Sequence, residues 1–124
     1  EVSCNPWDTS ILEDPSLDLI NHSWFCVNAD QPISVGQTIP NPYGLFDMQG
    51  NVAEWVHDRH TVLPSNLLEG IDPYFESTDP EKSIIRGGSW NDAAQSLSNN
   101  SLSVQALNTG SPYVGFRLVR TLPY

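Results

Sequence analysis

Hydrophobic positions along this chain rarely hold a period for more than a few residues, and where they do the period is that of a strand. Residues 1–20 mix acids, prolines and isolated hydrophobes, and only Asp14 to Asn21 suits a short helix or turn. From Val52 to Leu63 apolar residues alternate unevenly with charged ones, as in a strand leaving a turn. Pro64 to Pro80 reads as a long acidic surface loop, because Pro, Gly, Asp and Ser interrupt every apolar run. Ser83 to Trp90 reads as a core strand that turns at Gly87-Gly88. Tyr113 to Val119 alternates, with Val114, Phe116 and Leu118 on one side and Arg117 on the other, the pattern of a half-buried strand. The pattern predicts an α+β, loop-rich domain with short strands and little helix. It spans 1–124, with a loop-rich segment over 1–40 and the core over 41–124.

Composition agrees with this outline. Ten prolines and eight glycines stand against 39% hydrophobic residues, and four tryptophans supply much of the large apolar area. A formal net charge of -10 excludes nucleic acid and anionic membrane surfaces as partners, since both are bound through the lysine and arginine that this chain largely lacks. No stretch approaches the roughly 18 apolar residues of a membrane span, so direct membrane insertion is not expected. Cys4 and Cys26 are an even count near Trp7 and Trp24, in a segment with little else to order it. A bridge between them would contribute about 3 kcal/mol in the chain-entropy model and would place the chain in an oxidising compartment: periplasm, cell surface or medium. Two buried free thiols are the alternative. Asn21-His22-Ser23 and Asn99-Asn100-Ser101 fit the glycosylation triplet, a pattern common by chance in a chain rich in Asn and Ser.

The densest chemistry lies in Asn41-Pro42-Tyr43-Gly44-Leu45-Phe46-Asp47-Met48-Gln49-Gly50-Asn51-Val52-Ala53-Glu54-Trp55. Asp47 and Glu54 bring carboxylates, and Gly44 and Gly50 permit sharp turns that leave room for inward-facing carbonyls. Calcium takes six to eight oxygens at roughly 2.3 to 2.6 Å, so a D-x-x-G-x-x-x-E loop suits it. The same residues suit a purely architectural turn, with Asp47 capping it and Glu54 pairing with an arginine. Spacing alone does not choose between the two.

With Arg86-Gly87-Gly88-Ser89-Trp90 and Gly115-Phe116-Arg117, this stretch resembles the C-terminal half of the formylglycine-generating enzyme (sulfatase-modifying factor) family, whose fold is C-type-lectin-like. The resemblance runs from about Asn21 to Leu122. It implies calcium held by the side chains of Asp47 and Glu54 and the carbonyls of Gly50 and Val52, with a looser second site at Asn21 and Asp30. It also implies that Arg86 and Arg117 are structural and that Trp55, Trp90 and Phe116 are core. Family members run to roughly twice this length, so a subunit or fragment of a larger assembly is expected, partnered by other protein chains.

The family's oxidase chemistry rests on two cysteines that bind copper. Carried over by spacing from Ser89, they fall at Asp92 and Leu97, neither of which can form a thiolate. Iron-dependent relatives need a histidine cluster, and the histidines here are His22, His57 and His60, outside the segment concerned. Neither copper nor iron is expected, and no catalytic residue is assigned. His57 and His60 form an H-x-x-H pair without an evident third zinc ligand, and two exposed histidines at a strand end fit them better. Between Asn91 and Tyr113 there is one acid and no base, with small polar residues where arginines are usual near Ser98, Leu102 and Asn108. Asn91, Asp92, Gln95, Asn99, Asn100, Gln105, Asn108 and Tyr113 are the candidate binding residues of that loop, because Asn and Gln give adaptable hydrogen bonds and Tyr gives contact area. The expected function is a non-catalytic, calcium-stabilised binding or structural subunit. The alternatives are an oxidase or other enzyme of the same fold, and a diversified ligand- or receptor-binding protein, since some phage and bacterial variable proteins of this fold vary that same segment. A solvated loop is the bland reading of the segment.

Overall fold

The computed structural model describes residues 18–59 and 79–120. Cys4, His60 and nearly all of the acidic segment expected over 64–80 lie outside them. Among the described residues helix is confined to one turn, α1 (Leu19–His22), and a 3-10 turn over Ala94–Leu97. The strands are β1 (Ala53–Arg59), β2 (Lys82–Arg86), β3 (Ser103–Ala106) and β4 (Val114–Gly115). They form one sheet in the order β3-β2-β1-β4. β2 runs antiparallel to both β1 and β3, while β4 lies parallel to the start of β1, opposing Ala53 to Val114 and Glu54 to Gly115.

The central position of β2 follows from its sequence. Ile84 and Ile85 point to opposite faces and both are buried, which a strand achieves only with neighbours on either side and cover on both faces. β1 pairs Trp55 with Ile85, then shifts register before Arg59 meets Ser83, a bulge-like irregularity within the antiparallel pair. The remaining core among the described residues is small: Phe25 and Leu97 are 0% and 1% exposed, joined by Ala53 and Ala93.

Two short turns bind the loops to the sheet. Gly50 donates its N–H to Gly87 O at 2.8 Å, and Trp90 donates to Asn51 O at 2.7 Å, so the Gly-Asn turn before β1 and the Gly-Gly turn after β2 hold each other. Gly50 has φ of 75° and sits against the backbone of Trp24, where an added Cβ would lie 2.2 Å from the Trp24 carbonyl oxygen. Asn51, also at positive φ, donates its N–H to that same oxygen at 2.6 Å. Its side chain then bonds both backbone groups of Ile33, accepting from N at 2.9 Å and donating to O at 3.0 Å. Asn51 is 4% exposed, so these bonds replace water at a buried junction of three segments.

Three expectations are corrected. The final strand does not run from Tyr113 to Val119 but stops at Gly115. Beyond it the alternation persists with its sense inverted: Phe116 and Leu118 are 72% and 89% exposed, and Arg117 turns inward. The cause is polar: among the described residues the Arg117 guanidinium finds its partners, Glu54 and the carbonyls of Phe46 and Asp47, on the inner side, and satisfying it fixes which face of the segment is covered. Phe116 is therefore not core, and Trp55 and Trp90 are half-buried. The segment from Asn91 to Tyr113, expected as a loop, contains the 3-10 turn and the edge strand β3. Neutral Ser-Val-Gln-Ala carries no Gly, Pro, Asn or Asp, and its pairing with β2 settles what local composition left open.

Candidate functional site: the Glu54 turn and the face of the 89–113 segment

Asp47 and Glu54, the expected calcium carboxylates, have separate partners. Asp47 is buried at positive φ, and its oxygens accept from Gly36 N–H at 2.6 Å and from the Thr38 hydroxyl at 3.0 Å. It thereby closes the 36–38 turn onto the motif. Glu54 receives both arms of Arg117, Nε at 2.5 Å and Nη2 at 2.6 Å. The same guanidinium donates to Asp47 O at 3.0 Å and Phe46 O at 3.2 Å, so one side chain ties the end of the chain to β1 and to the turn before it. The Glu54 hydrogen bonds raise the Arg117 pKa above its ordinary value; partial burial opposes them, and the charges of Glu54 and Asp47 add to them. The donor set thus does not fit one calcium shell in this arrangement: one carboxylate is spent on a turn, and the other already faces a cation. Among the described residues no three carboxylate, histidine or cysteine side chains are grouped to hold a metal.

The other predicted ligands are also dispersed. Asn21 donates to the Asp18 carboxylate and accepts from Ile39 N–H through its carbonyl, whereas Asp30 is exposed on the turn after Ala29. His57 is exposed on β1 and its H-x-x-H partner lies outside the described residues. Cys26 is not a free thiol.

The two positions that carry copper thiolates in the resemblance are built into the scaffold. Asp92 accepts from Ser89 N–H at 2.8 Å and from the Ser89 hydroxyl at 2.7 Å through one oxygen, while its own N–H donates to Ser89 O at 3.0 Å. The Asp92 carboxylate supplies one half of a capping box, taking the Ser89 N–H, while the Ser89 hydroxyl donates to that carboxylate instead of accepting the Asp92 N–H. Leu97 packs in the core against Gly88, whose added Cβ would lie 3.0 Å from Leu97 Cδ1.

Around that scaffold the segment forms a concavity of about 220 Å³ on one face of the sheet. Its floor includes Ala53 and Ile85, and its walls are largely small and polar: Ser89, Asn91, Ser96, Ser101, Ser103, Gln105 and Ser111. Tyr113 stands at its margin with its ring 5.2 Å from that of Trp90, and Trp90 Nε1 donates to Pro112 O at 3.4 Å. Of the predicted binding residues, Asn91, Gln105 and Tyr113 line this concavity, and Asp92 does so while serving as a turn cap. Gln95, Asn100 and Asn108 are exposed. Asn99 is exposed but anchored: its carbonyl accepts from Arg86, and its side chain accepts from Gln49 Nε2, which also donates to Leu97 O at 2.8 Å. Arg86 is structural in this sense.

Residues 14–122 match the sulfatase-modifying factor enzyme 1-like domain. The chain belongs to that family. The solved structure of Treponema denticola variable protein 1 has the same fold, with a TM-score of 0.64 and 27% identity over 79% of this chain and 35% of its own. Part of the serine/threonine-protein kinase pkn1 of Chlamydia pneumoniae is 38% identical over 61 residues, 41% of this chain and 8% of that protein. The chain thus spans only a minority of the length of either relative. The loop-rich α+β architecture of the sulfatase-modifying factor enzyme 1-like domain is accordingly what the resemblance implied. Its sequence motifs map onto mutual contacts: Gly50 with Gly87, Asn51 with Trp90, Glu54 with Arg117. No helix among the described residues is long and apolar enough to cross a membrane.

Proposed function

We propose that this chain is a non-catalytic binding domain whose partner contacts the face formed by residues 89–113. The observation that carries the reading is the use of Asp92 and Leu97, the positions of the family's copper thiolates, as a turn cap and a core side chain. What surrounds them is a hydrogen-bonding concavity whose lining is largely small and polar, with Asp92 its one charged residue. Exposed small polar residues on a rigid frame vary at little cost to stability, and this is what a specificity-determining surface needs. The likeness to a protein named as variable supports the same direction.

Membership of a larger assembly is part of the proposal. Phe116, Leu118 and Val119 are exposed together, and Phe116 shares a groove of about 410 Å³ with Val35, Leu45 and Phe46 beside the Glu54–Arg117 pair. Contiguous apolar surface of this kind supports a covering protein partner. Export and a Cys4–Cys26 bridge belong to the proposal too, supported by the even cysteine count and by Cys26 not being free. For calcium, Arg117 already supplies positive charge at Glu54, so a metal held by Asp47, Gly50, Val52 and Glu54 would have to displace it; the fold is proposed to stand without one.

The test is an oxidation assay with purified protein, copper(I), oxygen and a cysteine-containing peptide, scoring aldehyde by mass. The expected yield equals that of copper alone. Protein-dependent aldehyde formation would overturn the non-catalytic reading.

A further inference from the structure

β3 is the outer strand of the sheet, and among the described residues no strand pairs with its open side. Leu107 N–H donates to Glu81 O at 2.8 Å, and Ser83 opposes Gln105 while Ile85 opposes Ser103. Antiparallel alternation then turns residues 103, 105 and 107 toward β2, leaving the N–H and C=O of Val104 and the N–H of Ala106 on the open side, where the Ala106 carbonyl accepts a long bond from Thr109 N–H at 3.4 Å. Natural edge strands are guarded by lysine, proline, a bulge or inward charge. Ser101 to Asn108 holds no charged residue and no proline, and its four register pairs with β2 run without a shift.

A second observation lies beside the first. Ser103 and Gln105 share one face of β3, and with Ser101 they form the wall of the 220 Å³ concavity nearest the open edge. An edge that offers main-chain bonds, next to a pocket that accepts a side chain, is the arrangement by which sheets recognise extended peptides. The concavity is smaller than the roughly 300 Å³ at which small-molecule sites begin, and it suits a single side chain.

We propose that β3 takes up an extended segment of a partner protein as an added strand, with one small, uncharged polar side chain of that segment seated in the concavity. This rests on the reading of 89–113 as a binding face and specifies how that face is used. A second copy of the chain is disfavoured as the occupant, because each copy carries a formal charge of -10. The partner is neutral at the strand and basic around it.

The experiment uses random linear peptides displayed on phage, selected on the immobilised chain and then synthesised. Selected peptides are expected to be extended, β-branched and basic at their ends. Methylating alternate backbone nitrogens of a peptide should weaken binding at least about tenfold, as expected when one or two main-chain hydrogen bonds are lost, while methylating the others should not. Bound peptide should slow amide exchange at Val104 and Ala106. Val104→Pro, which removes an N–H from the open side only, should abolish binding with the melting temperature little changed. Peptides that tolerate methylation at every nitrogen and leave exchange at Val104 and Ala106 unaltered would overturn strand addition while leaving the binding face intact. Failure to select any linear peptide, or self-association of the chain through β3, would equally overturn the proposal.

Discussion

Replacing Arg117 with alanine removes the one side chain that connects β1, the Asp47 turn and the segment after β4. Two guanidinium bonds to Glu54 and two to backbone carbonyls disappear. Breaking a buried pair costs about 3 to 5 kcal/mol, and an exposed one about 0.2 to 1. The Arg117 and Glu54 side chains are 33% and 23% exposed, which places this pair between the two cases. Discounted for solvent, and with the two carbonyl bonds included, the loss is about 2.5 kcal/mol. For a domain of this size that lowers the melting temperature by about 10 °C. Arg117→Lys keeps the charge but not the fork, and about 1 kcal/mol of the loss is expected. A Glu54→Gln, Arg117→Ala double-mutant cycle by urea denaturation isolates the pair. The sign with pH is fixed by the raised Arg117 pKa: its contribution is complete below the ordinary arginine range and is lost only as pH rises through the folded value, in strong alkali. Arg117→Ala within about 0.5 kcal/mol of the parent would refute the reasoning.

Other substitutions separate geometry from chemistry. Gly50→Ala combines a positive φ with a Cβ 2.2 Å from the Trp24 carbonyl oxygen and is expected to cost more than about 3 kcal/mol. Gly44→Ala has similar φ but open space around it, and about 1 to 2 kcal/mol is expected in the same melt. Asn51→Ala strands the backbone groups of Ile33 and should cost about 2 to 3 kcal/mol, read by urea denaturation and by faster amide exchange at Ile33. Chelation with EDTA should leave the melting temperature within about 1 °C, because Glu54 is already neutralised by Arg117; a fall of about 5 °C, reversed by calcium, would contradict this.

What the sequence disclosed and what it hid divide along physical lines. The motifs were visible because glycines and paired charges have few other uses, and Gly50, Gly87 and the Glu54–Arg117 pair meet in space. Whether Asp47 and Glu54 served a metal or a turn was not visible, since spacing cannot show that Arg117 returns from 63 positions away to reach Glu54. The alternation of 114–118 was legible but its inward face was not. Hydrophobicity points Phe116 inward, while the guanidinium beside it has four acceptors to reach on that side. β3 was hidden because its neutral residues prefer no conformation strongly, and its pairing with β2 is a non-local contact. Asn51 carries a local signal of its role, since a Gly-Asn pair ahead of a strand favours a left-handed turn. Ser89 and Asp92, three residues apart, carry a turn-capping signature that is local and therefore legible.

The claim that the 89–113 face is where this domain meets its partner is tested most directly by native mass spectrometry of material purified from its source, parent beside Asn100→Lys and Gln105→Lys. The parent is predicted to carry a co-purifying protein chain that both variants lose, with melting temperatures unchanged. A parent that flies as a bare chain, or a complex that survives both substitutions, would contradict the account.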